Sequence, residues 1–184
     1  METIKKIWNS IKDYVYIVIA VVIIRTFLVT PAIVSGESMD NTLENNQIVI
    51  VNKIVYRVKD IKRFDIVVVK NEKYNDKIIK RVIGLPGDKL HYKVDENSNC
   101  ILYVNGEVVE ETFLSDTAKK FTCKNNPDVC ETEITIPEGF YYVMGDNRDR
   151  SADSRVLGIF SKDEIFGRVK YRLTPFSKFG KIEK

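Results

Sequence analysis

Hydrophobic positions along the chain form one long apolar run followed by many short ones. The long run extends from Tyr14 to Val29 and is interrupted only by Arg25 and Thr26. A helix of these residues would be roughly 24 Å long, close to the ~30 Å of a bilayer's hydrocarbon layer. Pro31 disfavours helical geometry at the residue before it. The pattern therefore predicts a transmembrane helix over residues 14–30.

The later apolar runs are short, rich in β-branched residues and separated by turn residues. They predict a mainly β domain over residues 31–184, in which Asn105-Gly106 forms a hairpin turn. A more polar stretch, residues 92–133, is interpreted as an insertion between two parts of a β-rich core, 31–91 and 134–175. The predicted strands lie in "IVIVNKIVY", "FDIVVVK", "KIIKRVIGL", "ILYVNGEVV", "ITIPEGFYYVMG" and "FGRVKYRL", and a helical turn in "SKDEIF".

The distribution of lysines around the long run predicts its orientation. Lys5, Lys6 and Lys12 precede the run, whereas no Lys or Arg follows it until Lys53. The positive-inside rule then places residues 1–13 in the cytoplasm and residues 31–184 outside, giving a single-pass protein of the cell membrane. The alternative is a cleavable signal peptide with a small-residue site ending at Gly36. Arg25 and the bulky residues after it favour the anchor.

Composition narrows the classes of function. The 184 residues are 44% hydrophobic and 30% charged, with a net charge of +3, as expected for one globular domain plus an appendage. No nucleic-acid-binding motif accompanies this modest charge. The spacing of the three cysteines and the single His91 argue against a metal site, so we expect no metal or cofactor. Cys123 and Cys130 could form a disulfide outside the cytoplasm or remain free thiols, and Cys100 has no assigned role.

Ser38, in "VSGESMDNTL", is a candidate nucleophile only if a base lies within reach. His91 is the sole histidine, and its alternating strand context is typical of a surface residue. Lys80 lies among isoleucines and valines, and on a strand it would share a face with Ile78 and Val82. Burial would lower the pKa of such a lysine and leave a neutral amine. No Ser-x-x-Lys motif occurs, so a Ser/Lys pair must be formed over a long range.

The segment "GDNRDRSADSR", residues 145–155, contains three aspartates, three arginines and two serines. Such a charge run is usually a solvated loop. Its acids and bases could instead pair and fix the loop, and Asp153 is expected to pair with Arg155 or Arg148.

Together, the apolar run, "SGESMDNTL", "RFDIVVVK", "KRVIGLPGD" and "GDNRDRSADSR" resemble the bacterial type I signal peptidases, in the single-anchor form of Gram-positive bacteria. The resemblance covers nearly the whole chain. It implies an antiparallel β-rich catalytic domain with a variable inserted region, and a membrane-bound serine protease with a Ser/Lys dyad. Its substrates would be exported preproteins cut after a small-x-small site.

By motif position, the resemblance implies that Ser38 is the nucleophile and Lys80 the general base, held in place by a hydrogen bond to Ser151. Small apolar pockets would select short substrate side chains. The implied supporting residues are Asp153, Arg155, Met39 and Arg81, and the implied pocket walls are Val34, Leu43 and Ile79.

Three positions depart from the family's pattern. Asn41 stands where proline is frequent, and Arg150 replaces the usual asparagine. Gly36 stands where some members have a serine that helps to bind the oxyanion, so the Ser38 backbone N–H and other donors would do so here.

Two other readings remain open at this point. The chain could be a non-catalytic, membrane-tethered β-domain that acts as a scaffold in secretion or pilus assembly. It could also be a soluble self-cleaving repressor with a related Ser/Lys core, although it has no DNA-binding region.

Overall fold

The computed structural model of the chain describes residues 2–71, 76–124 and 128–182, and its strands form two antiparallel sheets. The large sheet has the order β1-β2-β11-β3-β4-β9-β10, and β12 pairs with β11. Its strands are β1 (Val29–Ile33), β2 (Ile48–Asn52), β3 (Ile66–Asn71), β4 (Asp76–Gly84), β9 (Phe140–Met144), β10 (Phe160–Ser161), β11 (Ile165–Arg172) and β12 (Gly180–Lys181).

The small sheet and two helices lie between β4 and β9 in the chain. Its strand order is β7-β6-β5-β8, so that the polar insertion predicted from the sequence is itself an ordered β-sheet unit. The elements are β5 (Lys89–Val94), β6 (Cys100–Val104), β7 (Glu107–Val109), α3 (Asp116–Lys124), α4 (Asp128–Glu131) and β8 (Ile134–Thr135).

The helices outside the small unit are α1 (Glu2–Ile23), α2 (Val55–Val58) and α5 (Ser154–Leu157), with 3-10 turns at Lys162–Glu164 and Phe176–Lys178. A π-helical turn, Ile24–Leu28, continues α1. Among the described residues, no helix is both long enough and apolar enough to qualify as a membrane span.

Helical geometry ends at Leu28 rather than at Thr30, because the next five residues pair with β2. Pro31 lies inside β1 opposite Ile50, and β1 is the edge of the large sheet. An edge strand tolerates the missing N–H of a proline, so strand pairing extends through it.

The prediction of a mainly β, antiparallel fold is confirmed, and one predicted strand is shorter than expected. The apolar run "IVIVNKIVY" stops pairing at Asn52 and turns into α2. The Asn52 side chain accepts hydrogen bonds from the backbone N–H groups of Ile54 and Val55, at 3.1 and 3.0 Å, which bends the chain at that point.

The central strand β3 is buried on both faces and separates two apolar clusters. Ile66 and Val68 belong to one cluster and Val67 and Val69 to the other, as the alternation of strand side chains requires. Both faces of β3 and its neighbour β4 are therefore shielded from water around the candidate site.

Candidate active site

Ser38 and Lys80 meet although 42 residues separate them in the chain. Ser38 lies in a turn after β1, and Lys80 lies in β4 opposite Val67 of β3. The Lys80 Nζ and the Ser38 Oγ are 2.7 Å apart. The structure therefore has the long-range pairing of a hydroxyl with an amine that the sequence motifs implied.

Burial changes the chemistry of the Lys80 amine. The residue is 2% exposed, and its removal from water lowers its pKa from 10.5 to about 8. The negative charges of Asp153 and Asp146 act in the opposite direction and the positive charge of Arg155 acts in the same direction, but burial is the largest cause. A substantial fraction of the amine is therefore neutral just above neutral pH and able to accept a proton.

The loop of residues 145–155 holds the backbone on both sides of the Ser38 side chain. Asn147 donates its backbone N–H to the Ser38 carbonyl oxygen at 3.1 Å and its side-chain amide to the Glu37 carbonyl oxygen at 3.0 Å. A Cβ at Gly145 would lie 2.3 Å from the Ser38 carbonyl oxygen and 2.2 Å from the Ser151 Oγ. Only glycine allows this close approach of loop and nucleophile.

Asp153 and Arg155 form a buried bidentate ion pair, in agreement with one of the two expected pairings. Both contacts measure 2.8 Å, and the Asp153 carboxylate also accepts the Gly145 N–H at 2.9 Å. Burial raises the pKa of Asp153, but the hydrogen bond and charge of Arg155 outweigh it and hold the pKa below its usual value. The Asp153 carboxylate therefore stays ionised near Lys80, and the Arg155 charge offsets part of its effect on the Lys80 pKa.

Arg148 does not pair with Asp153 but reaches across to the small sheet. Its guanidinium bonds to the Glu111 carboxylate and donates to the Thr122 hydroxyl at 2.8 Å, while its Nε donates to the Gly145 carbonyl oxygen at 3.1 Å. Through Arg148, the 145–155 loop is therefore bonded to residues of the small sheet and its helices. The sequence carried no signal for Glu111, which lies 37 residues from its partner.

Arg81, the residue after Lys80, joins the three site segments. It is fully buried and forms a bidentate contact with Asp146, with distances of 2.9 and 2.6 Å. The hydroxyl of Thr42, four residues after Ser38, donates to the same carboxylate. Asp146 was missed as a site residue, although its place directly after a buried strand is a typical position for one.

The resemblance implied that Ser151 accepts a hydrogen bond from Lys80. In the structure it does not. Its Oγ is buried and has no hydrogen-bond partner of normal geometry among the described residues, although its hydroxyl helps to lower the pKa of Asp153. The Oγ packs against Gly145 instead, and the Lys80 amine is directed at Ser38.

The implied pocket walls and the supporting residue Met39 pack together in one apolar cluster. Val34, Met39 and Leu43 are 3%, 1% and 0% exposed and pack in one cluster, with Ile79 at its partly buried edge. In this structure they fill the core beneath the Ser38 turn. Gly36 has a φ of +89°, and its N–H donates to the Asn45 side chain at 3.0 Å.

The remaining candidates lie in the small sheet and its helices. His91 Nε2 is 3.3 Å from the Cys130 carbonyl oxygen, so it serves neither Ser38 nor Lys80. Cys123 and Cys130 form a disulfide, and Cys100 is a buried free thiol.

The chain is similar in sequence to known proteins over most of its length. The sequence model of a family described as signal peptidase, peptidase S26, matches residues 7–174. Signal peptidase IB of Staphylococcus aureus (strain Mu50 / ATCC 700699) is 41% identical over 166 residues, 85% of this chain and 84% of that protein. Signal peptidase I of Bacillus amyloliquefaciens is 39% identical over 176 residues, 94% of this chain and 90% of that protein.

A crystal structure of a signal peptidase I from Enterococcus faecalis V583 is 29% identical, with a TM-score of 0.44, and the match covers 60% of this chain and 97% of that one. The family match and the identities over most of the length show that the chain belongs to the signal peptidase family, peptidase S26, and is a serine protease.

Proposed function

We propose that the protein is a membrane-anchored signal peptidase in which Ser38 is the nucleophile and Lys80 is the general base. The observation that carries this assignment is the 2.7 Å distance between the Ser38 Oγ and a buried amine whose pKa is lowered to about 8. A serine hydroxyl becomes nucleophilic when an adjacent base removes its proton.

The reaction would proceed in two proton-coupled steps. The neutral Lys80 amine accepts the Ser38 proton as the Oγ attacks the scissile carbonyl carbon, and then gives that proton to the leaving amine nitrogen. The acyl-enzyme that remains is hydrolysed by a water that Lys80 deprotonates, and Lys80 then returns the proton to the Ser38 Oγ as the acyl group leaves. Lys80 thus needs to be neutral at the start of each step, as its burial favours.

The Ser38 backbone N–H is the proposed oxyanion donor. Within the described residues it donates to no acceptor, and it adjoins the carbon that the Oγ would attack. Gly36 supplies no hydroxyl, so a second donor must come from another group. Removal of one such donor typically costs ~10² to 10³ in rate.

The supporting residues act on the position and charge of the dyad. Asp153 and Arg155 fix the 145–155 loop by their buried ion pair, and Arg81 joins the Ser38 turn to that loop through Asp146. Ser151 lies beside Gly145, and its proposed role is to accept a hydrogen bond from the Lys80 amine during the reaction.

The substrate would be an exported preprotein with small side chains at the first and third positions before the cut. An extended segment of this kind can add to a sheet edge through backbone hydrogen bonds. Met39 would flank it, and the proposed pocket walls are Val34, Leu43 and Ile79. Because Val34 and Leu43 are buried in the core, such a pocket would have to open when the substrate binds.

The anchor and topology complete the proposal. The apolar side chains of the described part of α1 from Tyr14 onwards are exposed, for example 70% at Tyr14, 58% at Ile17 and 56% at Val22, so they have no protein partner. A bilayer around the helical residues 14–28 would cover them, with residues 1–13 in the cytoplasm and the catalytic domain outside, beginning at β1. The small sheet corresponds to the inserted region.

The alternative of a non-catalytic scaffold is not favoured. It requires Ser38 and Lys80 to be far apart, or Lys80 to be paired with a carboxylate and charged. Neither agrees with a 2.7 Å contact to a hydroxyl or with membership of a peptidase family.

The test is cleavage of a signal-bearing precursor by the detergent-solubilised full chain, with the cut mapped by mass spectrometry. Ser38→Ala and Lys80→Ala should each abolish cleavage and retain the circular dichroism of the wild type. Ser35→Ala and Lys77→Ala, which alter exposed neighbours of the same types, should cleave normally. Full activity in either dyad variant would reject the assignment.

A further inference from the structure

Three cysteines converge between the small sheet and its helices, although Cys100 lies 23 residues before Cys123 in the chain. Cys100 lies on β6, Cys123 on α3 and Cys130 on α4. Their three sulfur atoms all lie within 4.8 Å of one another. A free thiol therefore lies next to the Cys123–Cys130 disulfide, a geometry that permits thiol–disulfide exchange.

The sulfur of Cys100 is held against the backbone of α3. The Cys123 N–H donates to the Cys100 Sγ at 3.1 Å, and the thiol donates to the Lys120 carbonyl oxygen at 3.7 Å. An N–H directed at the sulfur stabilises the thiolate, the form that attacks disulfides. Burial acts against it and raises the pKa of the Cys100 thiol, so the reaction should be faster in alkaline solution.

We propose that Cys100, Cys123 and Cys130 form a thiol–disulfide exchange site that reacts with small thiols and disulfides through Cys130. The Cys100 thiolate attacks the Cys123 sulfur, a Cys100–Cys123 bond forms, and the Cys123–Cys130 bond breaks. Cys130 leaves as a thiolate and takes up the proton that Cys100 lost. One disulfide and one thiol are present before and after, so no external oxidant is needed.

The contacts of the two helices indicate that Cys123 keeps its bond and Cys130 leaves. On α3, the N–H of Cys123 already bonds to the Cys100 sulfur, and the neighbouring Thr122 accepts a 2.8 Å hydrogen bond from the buried Arg148. These contacts hold α3 against β6. Cys130 is the most exposed of the three cysteines, so its thiol is the most accessible product.

An open cavity gives small reagents access to this site. It has a volume of about 780 Å³, and all three cysteines and one face of α3 line it. Exchange would replace a thiol that is 3% exposed, Cys100, by the partly exposed thiol of Cys130 at the cavity wall. A small external disulfide could then form a mixed disulfide with Cys130 by the same exchange chemistry.

Alkylation of the native, unreduced full chain tests the proposal without any substitution. The folded protein is incubated with iodoacetamide in mildly alkaline solution, and its disulfides and labelled cysteines are mapped by mass spectrometry. We expect the label on Cys130, together with a Cys100–Cys123 disulfide. A label confined to Cys100, or no label until the protein is unfolded, with Cys123–Cys130 intact in either case, would overturn the proposal.

Two variants sharpen the result. Cys130→Ser, treated with oxidised glutathione, should form a Cys100–Cys123 disulfide as two glutathione molecules are released. Persistent free Cys100 in that variant would contradict the proposal. Cys100→Ser should take no label in the native state and should still cleave precursors, which separates this proposal from the assignment of Ser38 and Lys80.

Discussion

Lys80→Met should stabilise the protein at neutral pH while it abolishes cleavage. The wild-type amine is 2% exposed, and its pKa of about 8 lies about 2.5 pH units below its ordinary value of 10.5. Each unit corresponds to about 1.4 kcal/mol, so the buried amine lowers the free energy of unfolding by roughly 3 kcal/mol at neutral pH. Methionine has a similar length and no charge to desolvate.

The stability difference should shrink as the pH rises. Below about pH 8, Lys80 is protonated in both the folded and the unfolded chain, and the folded chain bears the full cost of burying the charge. Between about 8 and 10.5 the unfolded chain binds one proton more, so wild-type stability increases by about 1.4 kcal/mol per pH unit. Above about pH 10.5, Lys80 is neutral in both the folded and the unfolded chain, so its burial no longer lowers the free energy of unfolding. The Lys80→Met variant lacks this increase.

Urea unfolding of the detergent-solubilised full chain measures this difference. Wild type and Lys80→Met are compared at about pH 7 and about pH 10, and the advantage of the variant should fall by roughly 2 to 3 kcal/mol. Lys70→Met, which removes an exposed amine, is the matched control and should show no such trend. An advantage of Lys80→Met that stays constant over this range would refute the lowered pKa.

Three further predictions concern cleavage. The kcat/KM of the wild type should rise about tenfold per pH unit up to about pH 8 and then level off, because Lys80 must be neutral to accept a proton. A kcat/KM that does not change with pH below pH 8 would exclude Lys80 as the base. Asp153→Asn removes a charge that raises the Lys80 pKa, so the rise of kcat/KM with pH should move to lower pH. The variant should also lose about 3 to 5 kcal/mol of stability, because Arg155 is left unpaired. A pH profile identical to that of the wild type would contradict the electrostatic coupling of Asp153 to Lys80. Gly145→Ala adds a Cβ 2.3 Å from the Ser38 carbonyl oxygen, so it should lower kcat ~100-fold or more while the circular dichroism stays unchanged. Near-normal cleavage by this variant would show that the close approach of the loop to Ser38 is unnecessary.

Local patterns predicted the parts of the fold that local interactions decide. The run of isoleucine and valines in β3 was recognised because a strand that is buried on both faces is mostly apolar. The helix α3 was not predicted, because its residues are mainly polar and it gains stability from packing against β6 rather than from an apolar stripe. The change from strand to helix after Asn52 depends on hydrogen bonds from two backbone N–H groups to the Asn52 side chain. A hydrophobic pattern carries no information about such hydrogen bonds.

The same distinction between local interactions and tertiary packing applies to the candidate site. The pairing of Asp153 with Arg155 is two residues long and could be predicted from the segment itself, and Ser38 and Lys80 were recognised from motifs. The contacts of Arg148 with Glu111 depend on how the small sheet folds back onto the loop, which is set by tertiary packing.

The central claim is that folding leaves a neutral amine on Lys80 beside the Ser38 hydroxyl. Nuclear magnetic resonance of isotope-labelled lysine side chains in the native full chain, with the Lys80 signal assigned by its absence in Lys80→Met, measures this directly. The account predicts a titration midpoint at about 8, and a midpoint near the ordinary value of 10.5 would contradict it.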